Sequence, residues 1–229
     1  VPAEVHLAIG GIEPFTVIDF PGKLAAVAFC RGCNWRCRYC HNPHLLPIVP
    51  GNDWAALETF LDSRRGLLEA VVFSGGEPLL QSGLGGALAR CREMGFATGL
   101  HTGGGTPARL QQVLPLLDWV GFDVKAPFDA YADVTGVPGS GARARDSLHR
   151  LLGSGVDYEV RTTVDPTLLG REQLWALALE LRTLGVSRFV LQVCRSEVPA
   201  TGGDPLTDRE LMRQISTLFE DFELRGAPG

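Results

Sequence analysis

Residues 24–42 read Leu24-Ala-Ala-Val-Ala-Phe29-Cys30-Arg-Gly-Cys33-Asn-Trp-Arg-Cys37-Arg-Tyr39-Cys40-His41-Asn42. A short apolar run passes at once into three cysteines spaced CxxxCxxC. A continuous apolar run of this length suits a strand buried on both faces, so the strand would deliver Cys33, Cys37 and Cys40 into the loop at its carboxyl end. A compact loop with that spacing can offer three thiolates to one face of an iron-sulfur cube. Cluster-binding cysteines normally come in fours, so a trio leaves one iron open, much as a catalytic metal keeps a free position. Cys30 permits a competing reading as two zinc knuckles, Cys30-x2-Cys33 and Cys37-x2-Cys40. Four-cysteine zinc sites usually separate their pairs by roughly 15 to 20 residues, whereas three intervene here, too few to fold a second knuckle. Cys30 otherwise reads as a small hydrophobe closing a strand.

Working outward, β-like runs recur at 24–29, 70–73, 97–100, 119–122, 158–164 and 188–193. Segments of helical periodicity lie between them, at 54–65, 84–94, 109–116, 144–152 and 172–184. This alternation predicts right-handed βαβ units around a parallel sheet. Six units fall two short of a closed eight-unit barrel of about 250 residues, so the expected fold is α/β, a partial (βα)6 TIM-like barrel with outer helices. One domain is expected over 1–229, with its core at about 11–195. Thr207, reciprocated by Glu210, reads as a capping box that opens a last helix over about 207–222.

The 229 residues are 45% hydrophobic and 21% charged, a composition that supports one substantial core and not disorder. A formal net charge of -5, with Lys23 and Lys125 the only lysines, argues against a nucleic-acid partner, which needs clustered basic residues. No apolar stretch reaches the roughly 18 to 20 residues of a membrane span, and the N-terminus lacks a basic region leading into an apolar core. Four of six cysteines fall within eleven residues, which points to metal in a reducing compartment and not to a disulfide framework. The expectation is a cytoplasmic protein in which Cys91 and Cys194 are inert.

Function in parallel βα folds collects at the carboxyl ends of the strands, and the unusual residue clusters all fall there. Ser74-Gly75-Gly76-Glu77-Pro78 follows the second run; its glycines allow backbone approach that a Cβ would block, and Glu77 can meet a cationic amine. The third run ends in Leu100-His101-Thr102-Gly103-Gly104-Gly105, where no Lys-Ser or Lys-Thr follows to make a phosphate loop. The fourth ends in Asp123-Val124-Lys125, readable as an exposed ion pair or as a site. In the fifth, alternation puts Glu159, Arg161 and Thr163 on one side. If that side faces the barrel interior, Arg161 needs an anion, either a ligand carboxylate or a neighbour such as Glu159 or Asp123.

The spacing CxxxCxxC with Tyr39 before the last cysteine, followed one strand later by GGEP, resembles the radical S-adenosylmethionine superfamily. The resemblance implies a [4Fe-4S] cluster on Cys33, Cys37 and Cys40, and S-adenosylmethionine on the open iron. It further implies that Gly75, Gly76 and Glu77 line the methionine amino group, that Asp123, Val124 and Lys125 lie along the cofactor, and that Arg161 meets its carboxylate. Thr102 joins these contacts, Tyr39 is read as stacking on adenine or as loop packing, and His41 as lining or as solvated. No side chain beyond the cluster and cofactor is expected to be catalytic. His101 stands where activating enzymes usually carry an aspartate that helps hold a monovalent cation, and is read as a structural histidine bonded within the glycine loop.

The set Val17-Ile18-Asp19-Phe20-Pro21-Gly22-Lys23, Cys-His-Asn-Pro, SGGEP, DVKAP and VRTTV resembles anaerobic ribonucleoside-triphosphate reductase activating proteins. That family's implied reaction abstracts a glycine Cα hydrogen in a partner glycyl-radical enzyme, with reduced flavodoxin or a ferredoxin-type protein as electron donor. Two alternatives remain at this point: a small-molecule enzyme of the same superfamily, such as a 7-carboxy-7-deazaguanine synthase, and a zinc-binding structural or interaction module.

Overall fold

The computed structural model describes residues 5–194 and 203–226; Val1 and the expected core boundary at 195 lie outside them. The apolar runs are strands, and they pair in chain order. Strand β1 (Ile9–Thr16) leads into β2 (Ala25–Cys30), α1 (Trp54–Asp62), β3 (Ala70–Gly75), α2 (Leu84–Glu93), β4 (Ala97–Thr102), α3 (Pro107–Val113) and β5 (Trp119–Asp123). Then come α4 (Tyr131–Thr135), α5 (Ser140–Leu152), β6 (Asp157–Val164), α6 (Arg171–Thr183), β7 (Arg188–Val193), α7 (Arg209–Ser216) and β8 (Asp221–Arg225). The strands lie in the sheet in chain order, β1 to β8. Among the described residues only the β1–β2 pair is antiparallel.

The six-unit parallel barrel is present in β2–β7, and the sheet extends past it at both ends. Strand β1 is mostly exposed; it takes its ladder from β2 and buries no continuous apolar face, so hydrophobic patterning does not reveal it. The helix expected over 207–222 is corrected. It ends at Ser216, and Asp221-Phe222-Glu223-Leu224-Arg225 forms β8, parallel to β7. Phe219 and Phe222 mimic helical spacing, but they pack on Phe189 with ring centroids 4.9 and 6.3 Å away. The expected cap shifts as well: Asp208 accepts from the Leu211 amide at 2.9 Å, while Glu210 bonds Arg213 at 2.7 Å.

Alternation along the strands divides the core. One face packs under the helices, and the lumen face carries Ala25, Val27, Ala70, Val72 and Trp119 around Phe20, which enters from residues 17–23. Across the lumen, β6–β8 present charge. Glu159, 1% exposed, takes a two-pronged bond from Arg225 at 2.7 and 2.9 Å, with Arg188 at 3.5 Å. This clasp ties β8 to β6 over β7, and a buried carboxylate that loses such a partner is costly. Arg225→Ala is therefore expected to destabilise the fold by about 3 kcal/mol, read as a lower urea midpoint. Arg213→Ala, which breaks only the exposed pair with Glu210, is expected to leave the urea midpoint nearly unchanged.

Candidate functional site

The loop after β2 is shaped by its own hydrogen bonds. The Gly32 amide donates to Leu45 O at 2.7 Å, the Cys33 amide to Leu46 O at 3.2 Å and the Cys40 amide to Cys37 O at 3.1 Å. Arg36 folds back to donate from Nη1 to Cys33 O at 2.7 Å and Trp35 O at 2.8 Å. The Arg36 and Arg38 amides bond Thr135 O and Val134 O at the end of α4, and buried Trp35 meets Tyr131 edge-on at 5.6 Å. Held this way, Cys33, Cys37 and Cys40 line one cleft of about 850 Å³, counted to its open mouth, at the carboxyl end of the strands. Cys30 does not line it; its side chain is fully buried in the core, and burial and then Glu77 push its thiol up to about 12.

Gly75 and Gly76 bring β3 against this loop. The Gly76 amide donates to Cys30 O at 2.9 Å and the Glu77 amide to Gly32 O at 2.8 Å. A Cβ on Gly75, at φ +109°, would overlap the Cys30 backbone, and one on Gly76 the Gly32 carbonyl. Both glycines line the cleft, so they serve loop docking as well as any ligand. Glu77, buried, accepts from Thr102 Oγ1 at 2.6 Å, the Leu79 amide at 3.1 Å and the Gly103 amide at 3.1 Å. A carboxylate has about four acceptor positions, so one remains for a cation. Thr102 also accepts from the Gly104 amide at 2.9 Å; its hydroxyl is committed to holding Glu77 and the glycine loop.

On the facing wall, Arg161 Nε donates to Asp123 Oδ1 at 2.9 Å, and Lys125 Nζ lies 3.8 Å from Asp123 Oδ2. Arg161 thus pairs with Asp123, while Glu159 is taken by Arg225. Val124 does not join the site: its side chain is fully buried in the core, facing away from the cleft that Asp123 and Lys125 line. Tyr39 lines the cleft with Lys125 Nζ 6.0 Å from its ring centre, and its buried hydroxyl has no hydrogen-bond partner. His41 sits exposed on the rim, Nε2 3.8 Å from Cys194 Sγ. His101 is not bonded within the glycine loop; its Nε2 lies 3.0 Å from Asp19 O and 3.2 Å from Arg161 Nη1. The loop is held by Ser147 instead, which donates to Gly104 O at 2.7 Å.

The profile of the radical SAM superfamily matches residues 27–178. The chain belongs to the radical SAM superfamily. It is 31% identical over 177 residues to a provisionally named glycyl-radical enzyme activating enzyme of Methanocaldococcus jannaschii, covering 74% of this chain and 73% of that one. It is likewise 31% identical over 208 residues to the pyruvate formate-lyase-activating enzyme of Clostridium pasteurianum, covering 79% of this chain and 84% of the other. With these relatives it falls among the activating enzymes of glycyl-radical enzymes. The fold is shared with Streptococcus suis SuiB bound to S-adenosylmethionine, at TM-score 0.64 and 16% identity over 86% of this chain and 45% of that chain.

The donors that line the cleft of this radical SAM protein fit an iron-sulfur cluster, since Cys33, Cys37 and Cys40 are thiols and thiolates are the ligands such clusters take. The zinc-module alternative is without its fourth ligand, because Cys30 is packed away. Burial pushes the Cys33 thiol up to about 11 and raises Cys37, so a bound cation's charge would favour their thiolates. The Tyr39 hydroxyl and the free face of Glu77 leave polar groups for a ligand to satisfy.

Sequence reasoning missed Trp35 and Asp19 as parts of the site, and it gave His101 a partner in the glycine loop where the structure gives it Asp19 and Arg161. Asp19 lies three residues past β1, a strand that hydrophobic patterning does not reveal, and it meets His101 where Phe20 enters the lumen. Burial would raise the Asp123 carboxyl, but Arg161 and then Lys125 overcome this and hold it below its ordinary value of 3.8. A carboxyl that ionises more readily when folded stabilises the fold above its unfolded pKa, and that stabilisation fades as pH falls through the folded value. Cluster-free Asp123→Asn is thus expected to be less stable than wild type near neutrality, the gap closing once pH falls below 3.8. Urea unfolding of both proteins across that range checks it.

Proposed function

We propose that this protein activates an anaerobic ribonucleotide reductase by placing a radical on one of its glycines. The observation that carries the reading is the cleft itself, which three thiols line together with Glu77, Lys125 and the Arg161–Asp123 pair. Cys33, Cys37 and Cys40 would hold a [4Fe-4S] cluster, which when reduced would supply the electron for reductive cleavage of S-adenosylmethionine to methionine and a 5′-deoxyadenosyl radical. Glu77 offers its remaining acceptor position to the methionine ammonium, and the positive wall of Lys125 and Arg161 suits the carboxylate. Tyr39 presents its ring and unpartnered hydroxyl to the nucleoside half. These contacts orient the reacting carbon and exclude water from it.

A protein substrate is supported by a second opening beside the cleft. Residues Val17, Ile18 and Pro21 form one side, β7 and β8 the other, and His41 and Thr163 line both spaces. It opens to solvent between these two sides, with a volume of about 760 Å³. A glycine-bearing loop could enter there, and hydrogen abstraction needs that Cα within roughly 3 to 3.5 Å of C5′. The ribonucleotide-reductase assignment within the activating enzymes rests on the motif set from residues 17–23 through VRTTV. The reaction needs a low-potential donor of the flavodoxin or ferredoxin type and a reducing compartment, as in the cytoplasm; unpaired cysteines suit it.

Anaerobically reconstituted protein, reduced and given S-adenosylmethionine and an anaerobic ribonucleotide reductase, is expected to give a glycyl-radical doublet by electron paramagnetic resonance. Formation of 5′-deoxyadenosine with no doublet would point to a small-molecule substrate instead. Metal analysis should find iron and acid-labile sulfide in about four-to-four ratio. Cys33→Ala, Cys37→Ala and Cys40→Ala should each abolish cofactor cleavage, while Cys30→Ala keeps it; loss of cleavage in the last variant would overturn the ligand set.

A further inference from the structure

One ring nitrogen of His101 faces two partners. Nε2 lies 3.0 Å from the Asp19 carbonyl oxygen and 3.2 Å from Arg161 Nη1. The ring is neutral, since burial and then the charge of Arg161 push its pKa down to about 3. A nitrogen of neutral imidazole carries either a proton or a lone pair, so Nε2 serves one partner at a time. Protonated, it donates to Asp19 O and confronts an Arg161 N–H. Bare, it accepts from Arg161, and the proton on Nδ1 turns toward Asp19 Oδ1, 3.9 Å away, while Asp19 O loses its donor. A bond from a charged guanidinium is the stronger, so an empty cleft favours the second arrangement.

We propose that His101 is a positioning residue that relays occupancy of the cofactor cleft to residues 17–23 through the choice of protonated ring nitrogen. The relay rests on the reading of Arg161 as a contact of the cofactor carboxylate. When an anion draws Nη1 away, the ring releases the Nδ1 proton to solvent, gains one at Nε2 and donates to Asp19 O, with no net change in charge. That bond pins a segment otherwise held by Phe20, 5.5 Å from Trp119 in the lumen, and by Thr16 Oγ1, which donates to Asp19 Oδ2 at 2.6 Å. The same segment carries Val17 and Ile18, 57% and 78% exposed, at the edge of the second opening. Cofactor binding thereby firms one wall of the entrance before a partner arrives.

The test is amide hydrogen exchange of residues 17–23 in cluster-loaded protein under anaerobic conditions, without reductant, with S-adenosylmethionine affinity measured by calorimetry alongside. Wild type should exchange roughly tenfold more slowly in this segment once the cofactor is bound. His101→Phe should bind the cofactor with no such slowing. His101→Gln, whose amide holds a donor and an acceptor on separate atoms, should be slow with or without the cofactor. Binding to wild type without slowing, or equal slowing in His101→Phe, overturns the relay alone. Slowing of wild type by the cofactor that persists in Arg161→Leu overturns the assigned carboxylate contact and the relay with it.

Discussion

The site depends on a backbone-to-backbone contact between the end of β3 and the cysteine loop. Gly76 and Glu77 donate their amides to Cys30 and Gly32, and side chains at 75 and 76 would hold the two segments apart. Each of these buried amides would cost about 1 to 3 kcal/mol if left without a partner, so the loop has one favourable seat. From it follows that the three thiols and Glu77 line one cleft. The same two glycines that a sequence reading assigns to a ligand therefore first perform a structural task.

The barrel lumen is divided in a way that suits this arrangement. Beneath the cysteine loop it is closed by Phe20 and its apolar neighbours, which exclude water from the floor of the cleft. Toward β6–β8 it is charged, and each charge is met: Glu159 by Arg225 and Arg188, Asp123 by Arg161 and Lys125. In a low-dielectric interior such pairs hold only when their geometry is good, so they fix side chains that would otherwise wander. Strand β8 matters here because Arg225 completes the set from outside the six-unit core.

The six barrel strands were legible because strands buried on both faces must be continuously apolar, and the cysteine spacing and GGEP were legible because their chemistry is local. What escaped was made by tertiary partners. Strand β1 is held by the ladder of β2, and β8 alternates charged and apolar residues because one side meets the ion clasp in the lumen. Val124 was misjudged by treating Asp123-Val124-Lys125 as one block, when strand-like alternation sends its middle residue into the core. His101 and Asp19 are 82 residues apart, and no local pattern could join them.

Arg161 shows how two sequence readings that look exclusive combine. The residue could have been a carboxylate receptor or one half of an internal pair, and the structure shows the pair. A guanidinium has five N–H donors, however, of which Asp123 takes one, Gly121 O at 3.4 Å a second and His101 Nε2, when bare, a third. Two remain on a group that lines the cleft. Gly121 makes room for this group, since a Cβ there would strike the guanidinium. An arginine already locked by an aspartate would lose little side-chain freedom on meeting an anion, so the internal pair is compatible with the carboxylate contact proposed for Arg161.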